Sequence, residues 1–235
     1  ATLDDLLRSP ELAQELTRYH QSLLWGKLGD LTFSTNTLSP TGRERIYWKR
    51  NSANSYRGAR VSCLDEPARF GVNGEILTTE VDGARLEGWV MVSPYWDPEN
   101  PIKVCAFDAQ EATFTPSGEP CAERSRDPSC GCGPSLTWCP SPETERDVKD
   151  ALTESFERFM LWVFSSEGSY LELFQSQRMY VNGPLVHFFR HLISTDTRYS
   201  FEPAPIDVNA LPSLPYTARD TWVPLTLSRD HAGVL

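Results

Sequence analysis

The sequence predicts an α+β fold: a helical scaffold drawn from both chain ends, holding a disulfide-bearing insertion rich in loops and short strands. Three observations predict it. Apolar residues at helical spacing recur near the N-terminus and again between Ser141 and Ile193. From Leu31 to Pro140 the pattern changes to short apolar runs punctuated by glycine, proline, asparagine and serine. All six cysteines fall in that middle stretch. The expected organisation is therefore N-terminal helices over residues 1–30 that pack on the C-terminal helical part, a cysteine-containing insertion over 31–140, a helical region over 141–200, and a proline-rich extended tail over 201–235.

Element by element, Thr2-Leu3-Asp4-Asp5 resembles a capping box, with Leu3, Leu6 and Leu7 on one face behind it. Ser9-Pro10 places an N-cap serine before a proline at the first helical position. Leu12, Leu16, Tyr19 and Leu23 then follow at amphipathic spacing, and Gly26 and Gly29 end the helix. Ile76–Thr79 and Trp89–Val92 read as short strands. The basic run Arg43–Arg50 reads as a solvated strand or loop. Ser141-Pro142 repeats the cap signal, and Val148, Leu152, Phe156, Phe159 and Val163 form an apolar stripe to about Phe164. Tyr170–Phe174 reads as a short helix. Asn182-Gly183-Pro184 reads as a turn that starts a helix through Ile193. Five prolines after Phe201 predict a tail running extended over the surface.

The cysteines point to a compartment. An even count suits a disulfide framework built from Cys63, Cys105, Cys121, Cys130, Cys132 and Cys139, although six cysteines allow fifteen pairings. Structural zinc prefers C-x(2–4)-C pairs. The closest pair here is Cys130-Gly131-Cys132, and C-x-x-C-H is absent. Cys130 and Cys132 are expected to point opposite ways and staple two segments, because a bridge needs suitable Cα spacing and Cβ aim. Disulfides persist outside the cytoplasm. The setting expected is therefore periplasmic, extracellular or cell-surface, and the start at Ala1 is read as the product of a removed signal.

A net charge of −10 argues against nucleic acid as partner. No apolar run approaches the length of a transmembrane span. Eleven percent aromatic residues, including seven tryptophans, point to a substantial core or to contacts with other chains. No nucleophile elbow, P-loop or dinucleotide fingerprint occurs. Two constellations are candidate sites. His187 and His191 stand four apart on a predicted helix and could share a metal, or one of them or His20 could ligate haem; the competing reading is one core histidine and one at a helix end. Trp89, Tyr95 and Trp96 could form a sugar-stacking platform, or could pack in a core or interface. No cofactor follows from either.

Two helical blocks carry a family resemblance. One is Asp5–Pro10 through Trp25, a short leading helix, a small residue, proline, a second helix and tryptophan. The other is Phe156–Phe189, with Phe159, Ser169–Phe174, Tyr180–Leu185 and the pair Phe188-Phe189. Together they resemble extracytoplasmic domains associated with planctomycete-type cytochrome c modules, a family with no established activity. Asp230-His231-Ala232-Gly233-Val234-Leu235 resembles the start of the module that follows in that family. The match covers about a quarter of the chain, and the cysteine-rich middle has no counterpart in it. The resemblance implies an extracytoplasmic setting and protein partners in a larger assembly, a c-type cytochrome among them. The function expected is that of a non-enzymatic structural or interaction module. The alternatives are an extracytoplasmic enzyme, a carbohydrate-binding protein, or a non-covalent haem or metal protein.

Overall fold

In chain order the elements are α1 (Pro10–Leu23), β1 (Leu38–Thr41), β2 (Ile46–Lys49), α2 (Ala53–Arg57), β3 (Arg69–Phe70), β4 (Ile76–Leu77), β5 (Thr79–Val81), β6 (Ala84–Leu86), β7 (Trp89–Val92), β8 (Ile102–Cys105), α3 (Pro142–Ser165), α4 (Glu172–Gln175), β9 (Arg178–Val181), α5 (Gly183–His187) and β10 (Val223–Thr226). This is an α+β fold, with helices flanking a strand- and disulfide-rich insertion. The computed structural model describes residues 9–23, 37–42, 45–121, 127–165, 169–192 and 206–228. The expected first turn at Leu3–Leu7, the glycines Gly26 and Gly29, and the Asp230–Leu235 segment lie outside the described residues. The chain divides into two compact units: Ala1–Thr32, Arg146–Arg190 and Ser200–Leu235 form one, and Phe33–Glu145 with His191–Tyr199 forms the other.

The second unit is built on a four-stranded sheet of order β1-β2-β8-β7. Its β2–β8 pair is parallel, while β1–β2 and β7–β8 are antiparallel. Side chains alternate between sheet faces, and here both faces are covered. Tyr47 and Val104 join Leu38, Leu136, Cys132 and Cys139 in one cluster. Ile46 and Trp48 join Ala53, Cys63 and Cys105 in another. The expected solvated basic segment is therefore corrected: all four residues of β2 are buried, Lys49 included, because the strand is central in the sheet. The Ile76–Thr79 run divides between β4 and β5, which belong to two separate two-stranded ladders. The β5–β6 link is the two-residue loop Asp82-Gly83, both residues at positive φ, the type I′ hairpin that Asp-Gly favours.

The three disulfides are Cys63–Cys105, Cys121–Cys130 and Cys132–Cys139. Cys130 and Cys132 do point to different partners. Gly131 between them is dictated by space, since a Cβ there would lie 2.4 Å from the Gln110 nitrogen and 2.8 Å from the Asp108 carbonyl oxygen. The close approach is used: the Cys132 N–H donates to the Asp108 carbonyl at 2.7 Å. The Cys63–Cys105 bridge spans 42 residues, against 9 and 7 for the other two. On loop-closure entropy, replacing that pair by alanine should cost about 1.5 kcal/mol more than replacing either short-range pair. Urea denaturation of the three paired variants checks this ranking.

In the first unit, Ser9 Oγ accepts the Leu12 N–H and starts α1. The buried stripe of α1 is Ala13, Thr17 and His20, whereas Tyr19 and Leu23 are exposed. This corrects the expected Leu12–Leu23 face by a rotation of one residue. The polar stripe can be buried because it is hydrogen-bonded: Thr17 Oγ1 donates to the Ala13 carbonyl, and both His20 ring nitrogens have partners.

Helix α3 begins as its sequence predicts, with Ser141 Oγ accepting the Thr144 N–H and Thr144 Oγ1 accepting the Ser141 N–H. Phe159, Met160 and Val163 cluster with Leu173. Asn182 Oδ1 caps α5, accepting from the Leu185 N–H. The helix expected to run through Ile193 widens at Phe188–Leu192 into a π-type turn. The expected extended tail is extended through β10, but it does not lie wholly on the surface. Ile206, Leu211 and Tyr216 are buried, and β10 pairs antiparallel with β9. Gly183 permits this passage, since a Cβ there would stand 2.1 Å from the Pro215 carbonyl oxygen. Among the described residues, no helix is long and apolar enough to cross a membrane.

Candidate functional site

Four charged side chains meet inside the second unit. Lys49 closes β2, Arg57 closes α2, Glu87 follows β6 and Asp108 follows β8; each is at most 1% exposed. Arg57 donates to both Glu87 oxygens in a fork and reaches Asp108 Oδ2 at 3.0 Å. The same oxygen accepts the Lys49 backbone N–H at 3.1 Å. Lys49 Nζ donates to the Cys130 carbonyl at 3.2 Å and lies 4.9 Å from the centre of the Tyr56 ring. The Tyr56 hydroxyl donates to that same carbonyl. The side chains thereby tie α2, β2 and the cysteine loop together, with two positive and two negative groups in balance.

Burial dominates the ionisation of this cluster. Burial, with a smaller contribution from the Arg57 charge, lowers the Lys49 amine to about 8 against a partial rise from Asp108. Burial, then Asp108, push the Tyr56 hydroxyl above its usual range. Burial likewise pushes the Glu87 carboxyl up, although Arg57 pulls it down. Burial opposes the Arg57 charge, but Asp108 and Glu87 together raise its pKa. For Lys49 the folded state releases its proton before the unfolded chain does. Its contribution to stability therefore rises as pH climbs from about 8 toward 10.5, where the unfolded lysine titrates. Urea midpoints between pH 7.5 and 10 should climb more steeply for the wild type than for Lys49→Met; parallel slopes would refute this assignment.

Clusters of perturbed groups often mark catalysis, but this one is closed. An adjoining cleft of about 470 Å³ is lined by residues such as Phe70, Ile76, Val90 and Phe107, and none of the four charged residues lines it. The four side chains are buried and bonded to one another, which makes the cluster a polar staple.

The residues singled out from sequence fall as follows. Trp89 packs on the cluster containing Cys63 and Cys105, with Lys103 Nζ 4.6 Å from its ring centre. Trp96 packs on the opposite cluster and meets Tyr95 edge-on at 4.8 Å. Tyr95 and Trp96 are thus brought together, while Trp89 serves a different cluster. His187 ends α5 edge-on to Tyr216, with ring centres 5.7 Å apart, and His191 sits in the π-type turn. His20 is engaged at both nitrogens. The Leu16 carbonyl can only accept, so Nδ1 donates to it, and Nε2 is hydrogen-bonded to the Tyr170 hydroxyl, both at 2.7 Å. Among the described residues, one group of three potential metal ligands converges: Cys63, Cys105 and Glu87. Its two sulfurs are joined to each other, which removes the thiolates a metal would need.

A second place, open to solvent, lies in the first unit. A groove of about 400 Å³ is lined by Trp162, Gln177, Arg178, Pro224, Leu225 and Thr226, with Ser176 at its edge. Alternation along β9 puts Arg178 and Tyr180 on one face, and Thr226 stands opposite Arg178 in the ladder. The Arg178 guanidinium lies 4.5 Å from the Trp162 ring centre and 5.9 Å from that of Tyr180.

Neither the buried cluster nor Arg178 was singled out by sequence reasoning. Lys49, Arg57, Glu87 and Asp108 are spread over some sixty positions with no common spacing, and a single arginine in a short strand has no local signature. No protein-family model, curated protein or solved structure matches the chain.

Proposed function

We propose that this chain is a non-enzymatic, extracytoplasmic structural or interaction module that works as part of a larger protein assembly. The observation that carries the reading is the use of its cysteines and charges for scaffolding. All six cysteines are in disulfides, and the strongly perturbed ionisable groups are buried, Glu87 beside the Cys63–Cys105 bridge. Such cross-links suit a periplasmic or cell-surface setting. Exposed apolar side chains support a partner surface: Phe70 and Phe114 in one unit, Tyr170 and Leu171 in the other, are all more than half exposed. The family resemblance makes a c-type cytochrome module the first partner to test.

The experiment is light scattering on the natively isolated protein during size-exclusion chromatography, with an absorption spectrum of each peak. The expected result is a complex heavier than the 26.5 kDa chain, carrying a partner protein. A Soret band confined to that complex would identify a haem partner. A monomer of 26.5 kDa with no companion would overturn the assembly reading.

A further inference from the structure

We infer that the groove beside Arg178 binds a carboxylate attached to an apolar body. The inference is independent of the assembly reading. Its first support is charge. An arginine is always protonated and offers five donors in a rigid fork. Elsewhere in the same unit Arg18 is matched with Glu15, Arg158 with Glu154 and Arg219 with Asp147, whereas Arg190 reaches only the Pro212 carbonyl. Among the described residues Arg178 has no carboxylate within ion-pair distance. Its guanidinium makes only a 3.5 Å contact to the Tyr180 hydroxyl besides its two ring contacts.

The second support is preorganisation. Trp162 reaches the guanidinium from α3 and Tyr180 from β9, so the charged plane is held by two rings rather than by solvent. A guanidinium fixed in this way loses little freedom when it grips an anion with two parallel hydrogen bonds. The third support is the lining. Thr226 and Gln177 supply polar edges, while Pro224, Leu225 and the Trp162 ring supply apolar walls. One positive charge in a chain of net charge −10 balances a monoanion and does not balance a phosphate dianion. The same chemistry would accept a free aromatic acid or the C-terminal residue of a peptide.

The test is calorimetric titration of the full chain with phenylacetate, N-acetylphenylalanine, N-acetylphenylalanine amide and inorganic phosphate, while the Arg178 side-chain N–H resonance is followed by NMR. Saturable binding of an acid is expected, with a shift of that resonance and binding of the amide at least about tenfold weaker. Tighter binding of phenylacetate would identify a free acid as the natural ligand form; tighter binding of N-acetylphenylalanine would identify a chain terminus. Arg178→Lys keeps the charge and loses the fork, and should weaken the acid by about tenfold. Arg178→Met should abolish binding; a thermal melt establishes whether that variant folds, and Arg178→Lys and the amide decide the matter where it does not. No saturation, equal binding of acid and amide, an Arg178→Lys protein as tight as wild type, or phosphate binding as well as the acids would overturn the site.

Discussion

Arg57→Met should destabilise the protein by about 3–5 kcal/mol, the cost of leaving buried charge without its partner. Arg57 is fully buried and serves two carboxylates, Glu87 through a forked pair and Asp108 through one bond. Its removal leaves Glu87 and Asp108 without their guanidinium, while the Lys49 ammonium is directed to the Cys130 carbonyl. Methionine fills most of the volume, so the loss reports charge rather than a cavity. A double-mutant cycle makes the attribution sharp. In Arg57→Met/Glu87→Gln one negative charge is also gone, so the pair should cost clearly less than the sum of the single variants. Urea denaturation of the four proteins at pH 7 gives the coupling. Strict additivity, or a single-variant cost below about 1 kcal/mol, would show that the cluster is not a coupled electrostatic unit.

Phe159→Ala should cost a similar amount, about 3–5 kcal/mol, by the different route of a cavity in a packed core. Phe159 is 4% exposed and lies in the cluster of Met160, Val163 and Leu173. Its ring stacks on Trp162 with centres 6.1 Å apart. Because Trp162 also supports Arg178, the same variant should broaden the Arg178 side-chain resonance. Phe159→Leu, which retains most of the apolar volume, should cost no more than about half as much. Thermal and urea unfolding measure both. A cost below about 1 kcal/mol for alanine would mean that the stripe of α3 is not core.

Local rules made the helix starts legible. Ser9-Pro10 and Ser141-Pro142 combine a side-chain acceptor with a residue that needs no N–H donor of its own, and Ser9 and Ser141 do cap helices in the structure. The stripe of α3 could be read because Val148, Phe159 and Val163 are large, apolar and regularly spaced. The stripe of α1 could not. Burial of Thr17 and His20 depends on the Ala13 carbonyl and on Tyr170, which lies 150 residues from His20. Hydropathy alone therefore chose the neighbouring face.

The tail shows the same limit. Prolines predicted an extended path, and Pro224 is extended, but it lies in a strand whose partner β9 was invisible until the chain folded. Pairing there needs Gly183 to let residues 215–216 pass close, a steric fact about two distant segments.

What the sequence determined by itself was the class of fold, the capped helices, and the oxidised state expected of an even set of cysteines without zinc spacing. Tertiary structure alone decided which cysteines pair, that β2 is central and buried, and that Lys49, Arg57, Glu87 and Asp108 meet. It also brought Trp162 over Arg178. The physical reason is common to all of these. Caps and periodicity act between residues a few positions apart. A charge cluster, the long Cys63–Cys105 bridge or a stacked arginine is set by how separate elements close on one another, whose geometry no local spacing records.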